Sequence, residues 1–210
     1  MERMSARGVL LLALAGLLCL CLGAVATARL KNNPANHKSL IDKPIEGSQY
    51  DPGRGCRDHP PKGMLAFEDW LQENVRGVTW GIMRCESWGG GNFSLHSEGR
   101  AIDWHLDARN VGERRAAMNL IHTLIERDRR GNTTALARRM GVQGIIFDCK
   151  TWWAGGTGLG RYSYCFNENG KKKKNLDPTQ AHIDHVHLEL NWGGARERTS
   201  FWKSPLAPKA

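Results

Sequence analysis

The chain has 210 residues, 40% of them hydrophobic, and a formal net charge of +9. That length suits one domain with a sizeable core. The charge draws the protein toward anionic polymers and lipid surfaces, or simply keeps it soluble. No C-x-x-C pair occurs, which argues against a zinc site built on cysteines.

The chain opens with Arg3 and Arg7, an apolar run from Val9 to Val25, and Ala26-Thr27-Ala28. This is the order of a secretory signal peptide with an A-x-A cleavage site. The run is short for a span of roughly 20 residues. Residues 1–28 are therefore expected to be removed, leaving no stable membrane span. Losing them removes Glu2, Arg3 and Arg7 and leaves 182 residues with a net charge of +8. Four cysteines remain, Cys56, Cys85, Cys149 and Cys165. An even number in an exported chain predicts two disulfides. Of the three possible connectivities, Cys56–Cys85 and Cys149–Cys165 join sequence neighbours and are preferred.

Residues 29–61 are polar and rich in Pro, Gly and Asn, and read as a linker that orders near Cys56. From Met64 to Val75 the spacing predicts a helix, with Met64, Leu65, Leu71 and Val75 close to one face and Phe67 and Trp70 near it. Val78 to Cys85 reads as a strand. Trp88 to Asn92 holds three consecutive glycines and reads as a loop. Ala101 to Leu106 is expected to be extended. Gly112 to Asp128 carries the clearest helical stripe: Ala117, Met118, Leu120, Ile121, Leu124 and Ile125. Thr133 to Met140 predicts a short helix closed by Gly141. Strands are expected over Val142–Cys149 and His185–Trp192. The tail from Arg196 reads as loose, with 203–210 outside the domain. Mixed elements without a βαβ rhythm predict an α+β domain, residues 62–202, built on an antiparallel sheet with flanking helices.

Two segments carry chemistry. They are Ser94-Leu95-His96-Ser97-Glu98-Gly99-Arg100-Ala101-Ile102-Asp103 and His182-Ile183-Asp184-His185-Val186-His187-Leu188-Glu189-Leu190, which together hold four of the eight histidines. On a strand His185 and His187 share a face, with Glu189 next in line. Gly99 permits a turn between His96 and Asp103, and small Ala101 permits close packing. Two histidines and a carboxylate leave a fourth zinc position open, the pattern of a catalytic site. Such ligands should converge within about 4 Å of one another, given zinc–ligand lengths near 2 Å.

The run Ser94-x-His96-x-x-Gly99-x-Ala101-x-Asp103 resembles the SxHxxGxAxD signature of D-alanyl-D-alanine dipeptidases and carboxypeptidases. With the later His-x-His it is similar to the LAS metallopeptidases, a group that includes lysostaphin-type enzymes and the hedgehog signalling domain. Met64 to Trp202 also resembles a group of exported actinobacterial proteins with a similar GRA-D-W segment and a terminal DHVH. The resemblance implies a hedgehog- or D-Ala-D-Ala-peptidase-like fold in which His96, Asp103 and His187 bind Zn2+. It implies a general base at Asp184, three positions before the last ligand, or at His185. Strand alternation favours His185 and the D-x-x-H spacing favours Asp184. Arg84 matches a cation that steadies the oxyanion, and His182 extends the spacing toward that of a murein endopeptidase branch. His105 has no counterpart in the signature and reads as a supporting or surface histidine.

The implied activity is secreted, zinc-dependent hydrolysis of peptidoglycan peptide bonds at the cell wall, with cell-wall peptides or anionic wall polymers as partners and no nucleic acid. A zinc-containing binding or signalling module is the alternative. A metal-dependent nuclease ranks below both, because it leaves His96 and Asp103 unexplained. Asp148 and the pair Trp152-Trp153 are candidates for lining a cleft. The run Lys171 to Lys174 reads as a solvated loop.

Overall fold

In the computed structural model, which describes residues 33–209, helix α1 (Lys62–Asn74) buries Met64, Phe67, Trp70 and Leu71. Leu65 is 45% exposed instead of sharing that face. One helical step places it about 100° beyond Met64, away from the Phe67–Trp70 side. Strand β1 (Val78–Gly81) is shorter than expected and stops at Gly81, where φ is +129° and the pairing register shifts. The glycine-rich stretch is a small hairpin, β2 (Ser87–Gly89) and β3 (Asn92–Phe93), and not only a loop. Then come β4 (Ala101–His105) and α2 (Val111–Ile125), whose first amides bond to the Asn110 side chain. Helix α3 (Ala135–Met140) ends at left-handed Gly141, as expected.

Strand β5 (Val142–Phe147) turns back through Asp148 and Cys149, with φ of 47° and 60°. A two-residue turn with both φ values positive matches the twist of paired strands, and it delivers β6 (Lys150–Trp153) and β7 (Gly160–Arg161), which the sequence did not announce. Strand β8 (His185–Leu190) stops two residues early because the Asn191 side chain caps a short helix, α4 (Trp192–Ala195).

The large sheet has six strands in the order β1-β4-β8-β5-β6-β7, and every pair is antiparallel. The α+β class with an antiparallel sheet holds. Ile102 and Trp104 of β4, Val186, Leu188 and Leu190 of β8, and Ile145 of β5 join the helices in one core. By alternation, Asp103, His185, His187 and Glu189 emerge on the other face.

Residues 33–61, expected as a linker, lie against the domain. Ala35 and Leu40 are fully buried. The guanidinium of buried Arg100 donates to the Asp51 carbonyl at 2.9 Å and the Pro52 carbonyl at 3.1 Å. The tail is also held: Ser204 is buried and Leu206 packs on the core. Both preferred disulfides form, Cys56–Cys85 and Cys149–Cys165. The expected signal segment, 1–28, lies outside the described residues. Among the described residues no helix is long and apolar enough to cross a membrane.

Candidate metal centre

The first chemical segment folds as its residue types require. Ser94 accepts a hydrogen bond from the His96 amide at 3.3 Å and starts a 3-10 turn. Gly99 closes the turn with φ at +63°. A Cβ there would also meet Met83 Sδ and Pro60 Cα at 2.6 Å, so only glycine fits. Ala101, fully buried, starts β4, and Asp103 follows on the site face.

The register of β4 and β8 sets Asp103 directly opposite His187. Asp103 Oδ1 lies 2.9 Å from His187 Nδ1 and 3.2 Å from His96 Nε2, and the two imidazole nitrogens are 3.3 Å apart. His96, Asp103 and His187 thus offer three buried ligand atoms within 4.8 Å of one another, a cluster that could hold a metal ion. The convergence expected from the two separate segments is present.

The outer nitrogens fix how the rings present themselves. His96 Nδ1 donates to the Ile82 carbonyl at 2.7 Å, and His187 Nε2 donates to Glu189 Oε1 at 3.1 Å. Both partners are acceptors, so the protons sit on those outer nitrogens. His96 Nε2, His187 Nδ1 and Asp103 Oδ1 thus face one point, where a bound metal ion would meet a lone pair from each. Such a group could hold a cation at its centre, and metal-ligating histidines tied outward to a carboxylate or carbonyl are the usual arrangement. Glu189 is the supporting partner that the spacing marked only as next in line. Gly144 makes room for it, since a Cβ there would lie 2.6 Å from Glu189 Oε2.

Without a metal a proton takes that place. Burial opposes charge on His187, but hydrogen bonds to Asp103 and Glu189 outweigh it and push its pKa up to about 9. Burial likewise opposes charge on Asp103, yet bonds from His187 and His96 hold its carboxyl far below the usual range. Burial lowers His96 despite its bond to Asp103. Burial, with the His187 and His185 charges, lowers His182 to about 2.

The remaining predicted residues gather around this cluster in distinct roles. His185 Nε2 lies 3.4 Å from Asp103 Oδ1. Its Nδ1 donates to Asp184 Oδ1 at 2.8 Å, and Asp184 Oδ2 accepts from the Thr179 hydroxyl at 2.9 Å. Both Asp184 oxygens are thus engaged away from the cluster. Arg84 donates to Asp103 Oδ2 at 2.7 Å and to Glu86 at 3.0 Å. Burial works against its charge, but Asp103 and Glu86 hold it protonated above its ordinary value. His105 sits one layer back, donating to the Asp184 carbonyl at 2.9 Å and stacking on Trp80.

The cluster opens into a cavity of about 610 Å3, walled in part by Tyr50, Trp88, Trp153, Tyr162 and Tyr164. The tryptophan pair is split: Trp153 lines this cavity, whereas Trp152 is buried in the core. Asp148 stays outside it and pairs with Arg114 at 3.1 Å. Tyr50, Tyr162 and Tyr164 come from a loop and a one-turn 3-10 helix whose sequence gave no sign of converging. No protein-family model, no curated protein and no solved structure matches the chain.

Proposed function

We propose that this protein is a secreted, zinc-dependent peptidase of the LAS type that hydrolyses peptide bonds of peptidoglycan. The observation that carries the reading is the convergence of ligand atoms from His96, Asp103 and His187, with His185 Nε2 beside them at 3.4 Å from Asp103 Oδ1. Two nitrogens and one oxygen, with no sulfur, suit zinc in an exported protein. Zinc held by three protein ligands supplies an acidified water and polarises a carbonyl.

The chain's own residues do the rest. His185 has its Nδ1–H committed to Asp184, so Nε2 carries the lone pair that accepts a proton from the attacking water. Asp184 orients that ring and steadies the imidazolium, acting through His185 as a positioning residue. This assigns the base to His185 and gives Asp184 the supporting part. The Arg84 bonds to Asp103 and Glu86 use Nη1 and Nε, leaving Nη2 for the oxyanion of the scissile carbonyl. The aromatic wall fits an extended peptide, and the Ser94–Asp103 signature supports a D-alanyl-type cell-wall peptide as substrate.

One observation favours a non-catalytic zinc module instead. The carboxylate at the usual base spacing, Asp184, turns both oxygens away from the cluster. Incubating the zinc-loaded protein with purified muropeptides separates the two. Cleavage by the wild type, lost in His187→Ala and sharply reduced in Asp184→Ala, supports the peptidase. Intact muropeptides at full zinc occupancy rule it out and leave the binding module.

A further inference from the structure

A second cleft, of about 620 Å3, shares no lining residue with the metal cavity. The two lie on alternate faces of one loop. Tyr162 and Tyr164 turn to the metal cavity, whereas Arg161 and Phe166 turn to the second cleft. The loop is built, not slack. Cys165 is tied to Cys149, Phe166 pairs with Lys172 as a β-bridge, and the Asn167 side chain accepts from the Lys171 amide at 2.8 Å. That pairing sets the lysine run in register. Lys172 lines the second cleft, while Lys173 sits over the Tyr164 ring at 5.2 Å. The run read from sequence as a solvated loop is exposed, but it is not featureless.

Charge is concentrated there. Arg114, Lys150, Arg161 and Lys172 converge from helix α2, the start of β6, β7 and the lysine loop, over apolar Met118 and Leu159. The single carboxylate is Asp148, already paired with Arg114. Among the described residues, neither Lys150 nor Lys172 has a carboxylate within 4.0 Å. Four cations from four separate elements against one carboxylate leave the cleft with a net positive charge, which favours a further anion among them.

We propose that this cleft binds a flexible anionic polymer whose repeat carries phosphodiesters and no aromatic base, of the poly(glycerol phosphate) type. The guanidinium forks of Arg114 and Arg161 suit phosphate oxygens, and the two lysines add point charges. Single-stranded nucleic acid needs free aromatic faces for its bases. The one aromatic side chain in the cleft, Phe166, is covered by the Arg161 guanidinium at 5.2 Å. A flat bilayer reaches only the rim of a concave site. Binding here requires neither the metal nor hydrolysis, so it stands or falls separately from the peptidase reading.

The test titrates the protein with fluorescently labelled poly(glycerol phosphate) at low and moderate salt. Affinity should fall steeply with salt, as counterion release requires. The triple variant Lys150→Gln, Arg161→Gln, Lys172→Gln should bind about tenfold more weakly or worse. A control triple removing equal charge elsewhere, Lys38→Gln, Arg127→Gln, Arg129→Gln, should change affinity by less than about twofold. Unchanged circular dichroism in both confirms that they fold. Equal weakening in the two triples reduces the effect to net charge and overturns the site. Tighter binding to a single-stranded oligonucleotide of equal charge, or to anionic vesicles, overturns the assignment of the ligand, as does no binding of the polymer.

Discussion

Raising the pH from about 7 to about 9 should tighten zinc binding about a hundredfold. Without an ion His187 keeps a proton between Asp103 and Glu189, and its pKa is pushed up to about 9. Zinc needs the neutral ring, so the metal must displace that proton. At pH 7, about two units below, roughly one molecule in a hundred offers Nδ1 unprotonated, and each unit of pH gained is worth about tenfold in affinity. Above about 9 the dependence should flatten. Asp103 adds nothing, because its carboxyl is already ionised throughout this range. His96 adds nothing either, because its shift is downward and leaves the ring neutral. Stability of the metal-free protein should run the opposite way. A raised histidine contributes stability that is complete below its unfolded value of about 6.5 and is lost as pH rises through about 9. Competition with a chromophoric chelator across the range measures the affinity, and calorimetry in two buffers counts the protons released. A flat affinity between about 7 and 9, with no proton released at 7, refutes the reasoning.

Glu189→Gln should weaken zinc about 10- to 100-fold, because it removes the charge behind His187 Nε2; chelator competition reads this directly. His185→Ala should lower kcat on muropeptides by about 10²- to 10⁴-fold while the zinc content stays at wild-type level. Asp184→Asn should lower kcat less and shift the pH profile, because it changes how His185 is held and charged. Gly99→Ala forces a side chain into a left-handed position against Pro60 and Met83 and should cost at least about 1–2 kcal/mol, read as a drop in Tm.

Much of the centre was legible because its residues obey local rules. A serine cap, a left-handed glycine and a buried alanine leave their types in the sequence, and the period of a strand puts His185, His187 and Glu189 on one face. The disulfides followed from sequence proximity. What could not be read came from long-range contact. Residues 33–61 look like a linker because they are polar, yet Arg100 and Gln143 satisfy their backbone from across the domain. The short strands β6 and β7 at one end of the sheet gain their structure from a turn with two non-glycine residues at positive φ, which carries no glycine signal. The proposed choice of His185 over Asp184 rests on side-chain direction, whereas in the sequence strand alternation and the D-x-x-H spacing pointed to different residues.

The most direct test is X-ray absorption at the zinc edge of the purified protein. It should reveal one zinc per chain in a shell of nitrogen and oxygen near 2.0–2.2 Å, with imidazole scattering from two histidines and no sulfur. A sulfur shell, or protein that holds no zinc when supplied with it, contradicts the central claim.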